Sequence, residues 1–145
     1  MAELNRKYFV TGLKTDITEA PWNPVFTEEE SRRMMFLDNT VVPGAFYMEC
    51  AWYWPGDWPE KKSTKDMVKT HTHDYDEVIA FFGTDRDNPY DLCGQVELWI
   101  DGEQYLPEQS FLAFIPAGTE HGPLNIKRVD KPIFHFVTGP GKEYF

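Results

Sequence analysis

The stretch His71-Thr72-His73-Asp74-Tyr75-Asp76-Glu77 sets two imidazoles and a carboxylate at odd-numbered positions. In an extended strand, side chains at i and i+2 share a face. His71 and His73 are therefore expected to point the same way, and Glu77 returns to that side if the strand continues or bends gently. Two neutral imidazoles and one carboxylate form a mixed nitrogen and oxygen set that suits a divalent transition metal. Taken alone, His-x-His fits ordinary polar residues on a wet strand face at least as well.

A second segment shifts that balance. Pro116-Ala117-Gly118-Thr119-Glu120-His121-Gly122-Pro123-Leu124-Asn125 delivers a third histidine from a rigid turn, in which Pro116 fixes φ and Gly118 admits a backbone conformation closed to other residues. Asn125 shares the parity of His121, so both could face one interior. The ordered pair H-x-H-x3-E and P-x-G-x2-H-x3-N should arise by chance with a probability on the order of one in a million in a chain this long.

The two segments resemble the two motifs of the cupin family, G-x5-H-x-H-x3,4-E-x6-G and G-x5-P-x-G-x2-H-x3-N. That resemblance implies His71, His73, Glu77 and His121 as metal ligands, with Asn125 a turn or supporting residue. It covers roughly residues 46 to 140 and implies a double-stranded β-helix, the jelly-roll barrel of the family. Three glycines depart from the pattern: Lys65 stands at the first, Gly83 comes one residue early, and Ser110 replaces the one before Pro116. These departures concern turns rather than ligands. The resemblance says little about the reaction, because cupins host many unrelated activities.

Length and composition bound the rest. The 145 residues fit a single domain, 1–145, with an N-terminal extension over 1–45 and the barrel over 46–140. Aromatic residues, which favour strands, reach 16%. A net charge of -10 argues against a phosphate-backbone partner, so no nucleic acid is expected. No apolar run approaches the about 18 residues of a membrane span, and the opening Met1-Ala2-Glu3-Leu4-Asn5 leads into no signal-peptide core. The expectation is a cytoplasmic protein without a membrane partner. Cys50 and Cys93 read as buried thiols, and no C-x-x-C spacing offers a thiolate metal site.

Along the chain, Tyr8–Lys14 reads as a short strand, followed by a loop with Pro21 and Pro24. Thr27-Glu28-Glu29-Glu30 matches a capping box and predicts one or two helical turns to about Met35. Asn39, Pro43 and Gly44 mark a turn. Phe46–Trp54 predicts a strand whose even positions, Phe46, Met48, Cys50, Trp52 and Trp54, face a dry core; Tyr47, Glu49, Ala51 and Tyr53 then line a ligand cavity or meet solvent or a partner subunit. Residues 55–66 read as an exposed loop. The polar loop 84–91 is expected to fold over the mouth of a site. Asp101-Gly102 predicts a type I′ hairpin between Val96–Ile100 and Glu103–Leu106. Phe111–Ile115 leads into the Pro116 turn, and Pro132–Thr138 closes the series. Strands at this spacing indicate an all-β barrel or jelly roll without help from the resemblance.

Structural zinc sites are normally closed and cysteine-rich. Four ligands on a metal that prefers six leave about two positions open, the usual condition for metal catalysis. One divalent transition metal per chain is expected; the resemblance points to iron or manganese, with nickel, zinc and copper also represented. The leading expectation is an enzyme acting on a small organic substrate, first as a dioxygenase-type oxygenase and second as a non-redox isomerase or lyase. The third reading is a non-catalytic metal- and ligand-binding cupin. Tyr75 and Glu49 are the catalytic candidates, with Asp74 and Asp76 fitting exposed acids better. His135 is read equally as a core and as a pocket residue. The aromatic content suits an apolar or ring-containing substrate. By analogy with small cupins a homodimer is expected, in which the Tyr8 strand covers a partner's sheet edge.

Overall fold

The structure is a computed structural model that describes residues 6–12, 30–58 and 68–141. Among these, the strands are β1 (Ser31–Leu37), β2 (Tyr47–Tyr53), β3 (Glu77–Gly83), β4 (Gly94–Ile100), β5 (Glu103–Tyr105), β6 (Phe111–Ile115), β7 (His121–Val129) and β8 (Ile133–Gly139). They form a five-stranded sheet in the order β1-β2-β8-β3-β6 and a three-stranded sheet in the order β5-β4-β7. All the strand pairs are antiparallel. Bridges from Val68 to Leu124 and from His71 to His121 run the preceding segment along β7. One apolar core joins the sheets, with Ile79, Phe81, Ile133 and Val137 from the larger and Val96, Leu98, Leu124 and Ile126 from the smaller. The fold is the all-β jelly roll that strand spacing and resemblance both imply.

The Asp101-Gly102 hairpin forms as expected, with φ of 50° and 79° at the two turn residues, the positive pair a type I′ turn requires. Elsewhere the local signals are overridden. Residues 31–35 are strand rather than helix: β1 pairs with β2 from Ser31↔Tyr53 to Leu37↔Met48, and this pairing outweighs the capping-box signal, whose Thr27–Glu29 lie outside the described residues. Arg6–Tyr8 is a single 3-10 turn, and residues 9–12 join no strand, so the Tyr8 strand is not formed over its described part. Pro55–Asp57 are exposed as expected, but Trp58 is buried and donates its indole N–H to the Trp54 carbonyl at 2.8 Å.

The predicted facing of β2 is inverted. Tyr47, Ala51 and Tyr53 are buried, whereas Phe46 is 56% exposed and Met48 37%. The cause is that the outer face of the large sheet is itself apolar. Across it Trp52 lies beside Phe134 and Phe82, and Met48 leads through Thr138 and Val78 to Phe114. A stripe of large residues thus marks the outside of β2, while its inner face carries groups that border a cavity.

The 84–91 loop leaves the end of β3 opposite Glu77, and none of its residues borders the cavity. It does not cover the site. It is anchored instead by the two shifted motif positions: the Gly83 N–H donates to Ser110 Oγ at 2.8 Å, and Ser110 Oγ–H donates to the Pro89 carbonyl at 2.7 Å. A Cβ on Gly83 would stand 2.0 Å from the Asp91 carbonyl oxygen. Ser110→Ala removes both side-chain bonds and is expected to cost about 1–2 kcal/mol, a fall of roughly 2–8 °C in melting temperature, with metal affinity unchanged. Thermal melts and metal titration of the variant check this.

Candidate metal centre

Backbone pairing brings the two motif segments together. His71 and His121 exchange both main-chain hydrogen bonds, at 2.9 and 3.0 Å, so their side chains leave the same side of an antiparallel pair. Downstream, the Gly118 N–H donates to the His73 carbonyl at 2.8 Å, and the Ala117 N–H to Asp76 Oδ1 at 2.9 Å. The Pro116 turn, with Gly118 at φ 80°, is thereby fastened along residues 73–76. Glu77 opens β3 opposite Ile115.

The four predicted ligands converge. One donor atom from each of His71, His73, Glu77 and His121 lies within 4.8 Å of the other three. His71 Nε2 is 3.0 Å from His73 Nε2; Glu77 reaches His73 Nε2 at 3.1 Å and His121 Nε2 at 3.2 Å. Glu77 and His121 are almost wholly buried, at 4% and 3% exposure of their side chains.

The imidazoles are already set to receive a cation. His71 Nδ1–H donates to the Lys69 carbonyl at 2.7 Å and His121 Nδ1–H to the Thr119 carbonyl at 2.9 Å. A carbonyl only accepts, so a proton sits on Nδ1 and Nε2 is the atom each ring turns into the cluster, a free lone pair whenever the ring is neutral. His121 Nε2 is buried and makes no hydrogen bond of acceptable geometry, despite lying 3.2 Å from a Glu77 oxygen. A buried lone pair in that state fits a metal ligand. Burial pushes His71 down to about 4. For Glu77, burial works upward, but the contacts with His121 and His73 prevail and hold it at about 2. Burial likewise opposes the charged form of His121, yet the nearby Glu77 carboxylate and its bond to the Thr119 carbonyl carry it above the ordinary histidine value.

The cluster opens on a cavity of about 50 Å³. His71, Glu77 and His121 border it, as do Arg33, Glu49, Tyr53 and His135 among apolar walls. Glu49 is held by Tyr47, whose hydroxyl donates to its Oε1 at 2.7 Å, and by an ion pair with Arg33. Arg33 was not singled out by sequence, because the helical reading hid its facing. A bulge between Arg33 and Met35 sets Arg33 opposite Ala51 and Phe36 opposite Glu49, both on the inner face.

Tyr75 lies elsewhere. Its ring stacks on His73 with centroids 4.7 Å apart and is not among the residues bordering the cavity. Burial and the Glu77 charge raise its phenol well above the ordinary tyrosine value. Asp74 and Asp76 are exposed, as expected. Asn125 turns away from the site and donates to Glu97 Oε1 at 3.0 Å. The parity argument fails there because the β4–β7 register shifts between Leu98 and Ile100, so three β7 steps oppose two on β4 and reverse the facing beyond Gly122. His135 is both core and pocket residue. The room beside the cluster is on the order of three to five water molecules.

No family model matches the sequence, and no curated protein matches it. Among solved structures, recombinant oxalate oxidase in complex with glycolate is similar at a TM-score of 0.50 and 16% identity, over 94% of this chain and 61% of that one. KdgF from Halomonas sp. aligns at 12% identity and a TM-score of 0.42, over 92% of this chain and 96% of that one. The EutQ protein of Clostridium difficile aligns at 18% identity and a TM-score of 0.38, over 77% and 61%. This chain spans 61%, 59% and 60% of the three oxalate oxidase structures it matches. Identities this low bear on architecture alone; the likeness at a TM-score of 0.50, the strand order and the two motif segments lead to one conclusion: the chain has the cupin fold.

Proposed function

We propose that the chain is a mononuclear metal enzyme acting on a small organic substrate by a dioxygenase-type oxidation, with iron or manganese as its metal and nickel, zinc or copper as alternatives. The observation that carries this reading is the buried, unsatisfied Nε2 of His121 among three other converging donors. A divalent cation held there supplies Lewis acidity and about two open positions. The chain's own residues do the rest. Glu49, fixed by Tyr47 and Arg33, offers a carboxylate to the cavity as a proton acceptor. Tyr75 keeps its proton and backs the His73 ring, so it serves as a positioning residue.

A second reading, a non-redox isomerase or lyase, is favoured by Glu49, since a carboxylate facing the cavity suits removal of a proton from carbon. Oxygen-electrode traces during turnover separate the two: oxidation consumes oxygen in step with product, whereas the second reading consumes none. His121→Ala is expected to weaken metal binding more than about 100-fold and abolish turnover. The metal-free melting temperature should shift by less than about 4 °C, or about 1 kcal/mol. Loss of the fold in that variant, with no conversion in the unmodified protein, would favour a metal that only braces the barrel.

Proton and cation compete for the same lone pairs. His121, raised above the ordinary value, takes its proton at the higher pH, whereas His71 at about 4 competes only in strong acid. Metal affinity is therefore expected to hold in alkali and to fall as pH drops through the His121 pKa. Metal titrations from pH 8 to 5 check the direction; a flat profile contradicts it.

We also propose that a second copy of the chain covers the outer face of the large sheet. Leu112 and Phe114 on edge strand β6 are 65% and 62% exposed, and Phe46, Met48 and Phe82 extend the patch. At about 150–250 Å² per aromatic side chain these residues leave roughly 500 Å² of apolar surface. Half-buried Trp52, Phe134 and Phe136 bring it toward the about 800 Å² per partner of a stable interface. Light scattering is expected to give the mass of two chains, and Leu112→Asp with Phe114→Asp that of one. A single-chain mass for the unmodified protein overturns the idea.

A further inference from the structure

Two groups in the cavity are not needed to hold a cation. His135, on β8, is 7% exposed and borders the cavity. Its Nδ1–H donates to the Ala80 carbonyl at 2.8 Å. The proton is thus on Nδ1, and Nε2 is left as an acceptor in the neutral ring. Phe81 stacks on that ring at 4.1 Å and Tyr53 tilts against it at 6.0 Å, which fixes its plane. Burial pulls its pKa to about 4, so the ring stays uncharged near neutrality.

The second group is Arg33, aimed inward by the β1 bulge and oriented by Glu49. Both side chains of this ion pair are only 13% exposed. Burying such a pair generally gains little stability against the hydration it loses, so its presence beside the metal cluster calls for a use. A guanidinium carries five N–H donors in a planar fork and can serve Glu49 and a second oxyanion together.

Charge narrows what enters. The three ligand imidazoles are neutral when bound to metal, and Glu77 offsets half the charge of a divalent cation. The four ligands thus leave one positive charge of the cation uncompensated, beside the apolar walls of Ile79, Leu98, Leu124 and Val137, where water screens poorly. The room directly beside the cluster suits a group of a few non-hydrogen atoms.

Building on the metal-enzyme reading above, we propose that the cavity takes a small hydroxycarboxylate of single negative charge, its carboxylate on the Arg33 guanidinium and its hydroxyl donating to His135 Nε2. Both groups also carry the oxygen donors that hard divalent cations accept.

Calorimetry on the full chain loaded with nickel, whose uptake is first confirmed by elemental analysis, tests this with three probes of matched size. Lactate carries both groups, lactamide lacks the charge, and propionate lacks the hydroxyl. Lactate is expected to bind at least about tenfold more tightly than either of the others. His135→Asn, whose amide nitrogen can keep the bond to Ala80, should erase the preference for lactate over propionate and retain that over lactamide. Arg33→Met combined with Glu49→Gln, which removes both charges of the pair, should erase the preference over lactamide. Equal affinity for the three probes, or no lactate binding to nickel-loaded protein, overturns the hydroxycarboxylate assignment and leaves the metal site standing. A chain that takes up no metal overturns both. The probe series on the unmodified protein decides the hydroxycarboxylate assignment even if a variant fails to fold; lactate preferences unchanged in both folded variants overturn the roles given to Arg33 and His135.

Discussion

Two main-chain hydrogen bonds, exchanged between His71 and His121, are the constraint on which the centre depends. Residues opposed in this way send their side chains from one side of the pair, so two imidazoles are brought over a common point by backbone geometry alone. The seam continues through Gly118 and Ala117 onto His73 and Asp76, and it ends where Glu77 enters the large sheet. Each donor therefore rests on hydrogen-bonded backbone, the kind of support that keeps a site's geometry tight.

The same economy appears one layer out. In His71 and His121 alike, the Nδ1 proton goes to the carbonyl two residues earlier, Lys69 in one case and Thr119 in the other. A single local turn geometry, used twice, fixes both tautomers. Beyond these lies a region of different character, where Arg33, Glu49 and Tyr47 form a connected polar group against the apolar core. The cluster could hold a cation, and the neighbouring group offers charged and hydroxyl side chains beside it.

What the sequence made legible follows from the range of the forces involved. The ligand set and the hairpin at Asp101-Gly102 depend on short spacings and on backbone conformations that few residues adopt, so they survive folding unchanged. Features set by partners distant in the chain were not legible. Ser31–Leu37 became a strand because β2 lies beside it, and the facing of β2 inverted because the outer surface is as apolar as the core. Arg33 entered the cavity and Asn125 left it through register shifts. A single extra residue reverses every side chain beyond it, and no count of odd and even positions reveals where it falls.

Tyr75 ties the end of the last strand to the cluster. A Cβ on Gly139 or Gly141 would stand 2.7 or 2.4 Å from its ring, so bare backbone is what allows the ring to lie flat behind His73. Gly139 also pairs with Tyr47, and the Gly141 carbonyl accepts the Tyr47 N–H at 2.9 Å. The closing segment consequently acts as a shim under two components at once, an imidazole of the cluster and the carboxylate of Glu49. Substitutions there would move the His73 ring and the Glu49 carboxylate together without touching either, which makes this unassuming stretch a remote control on the geometry of the centre.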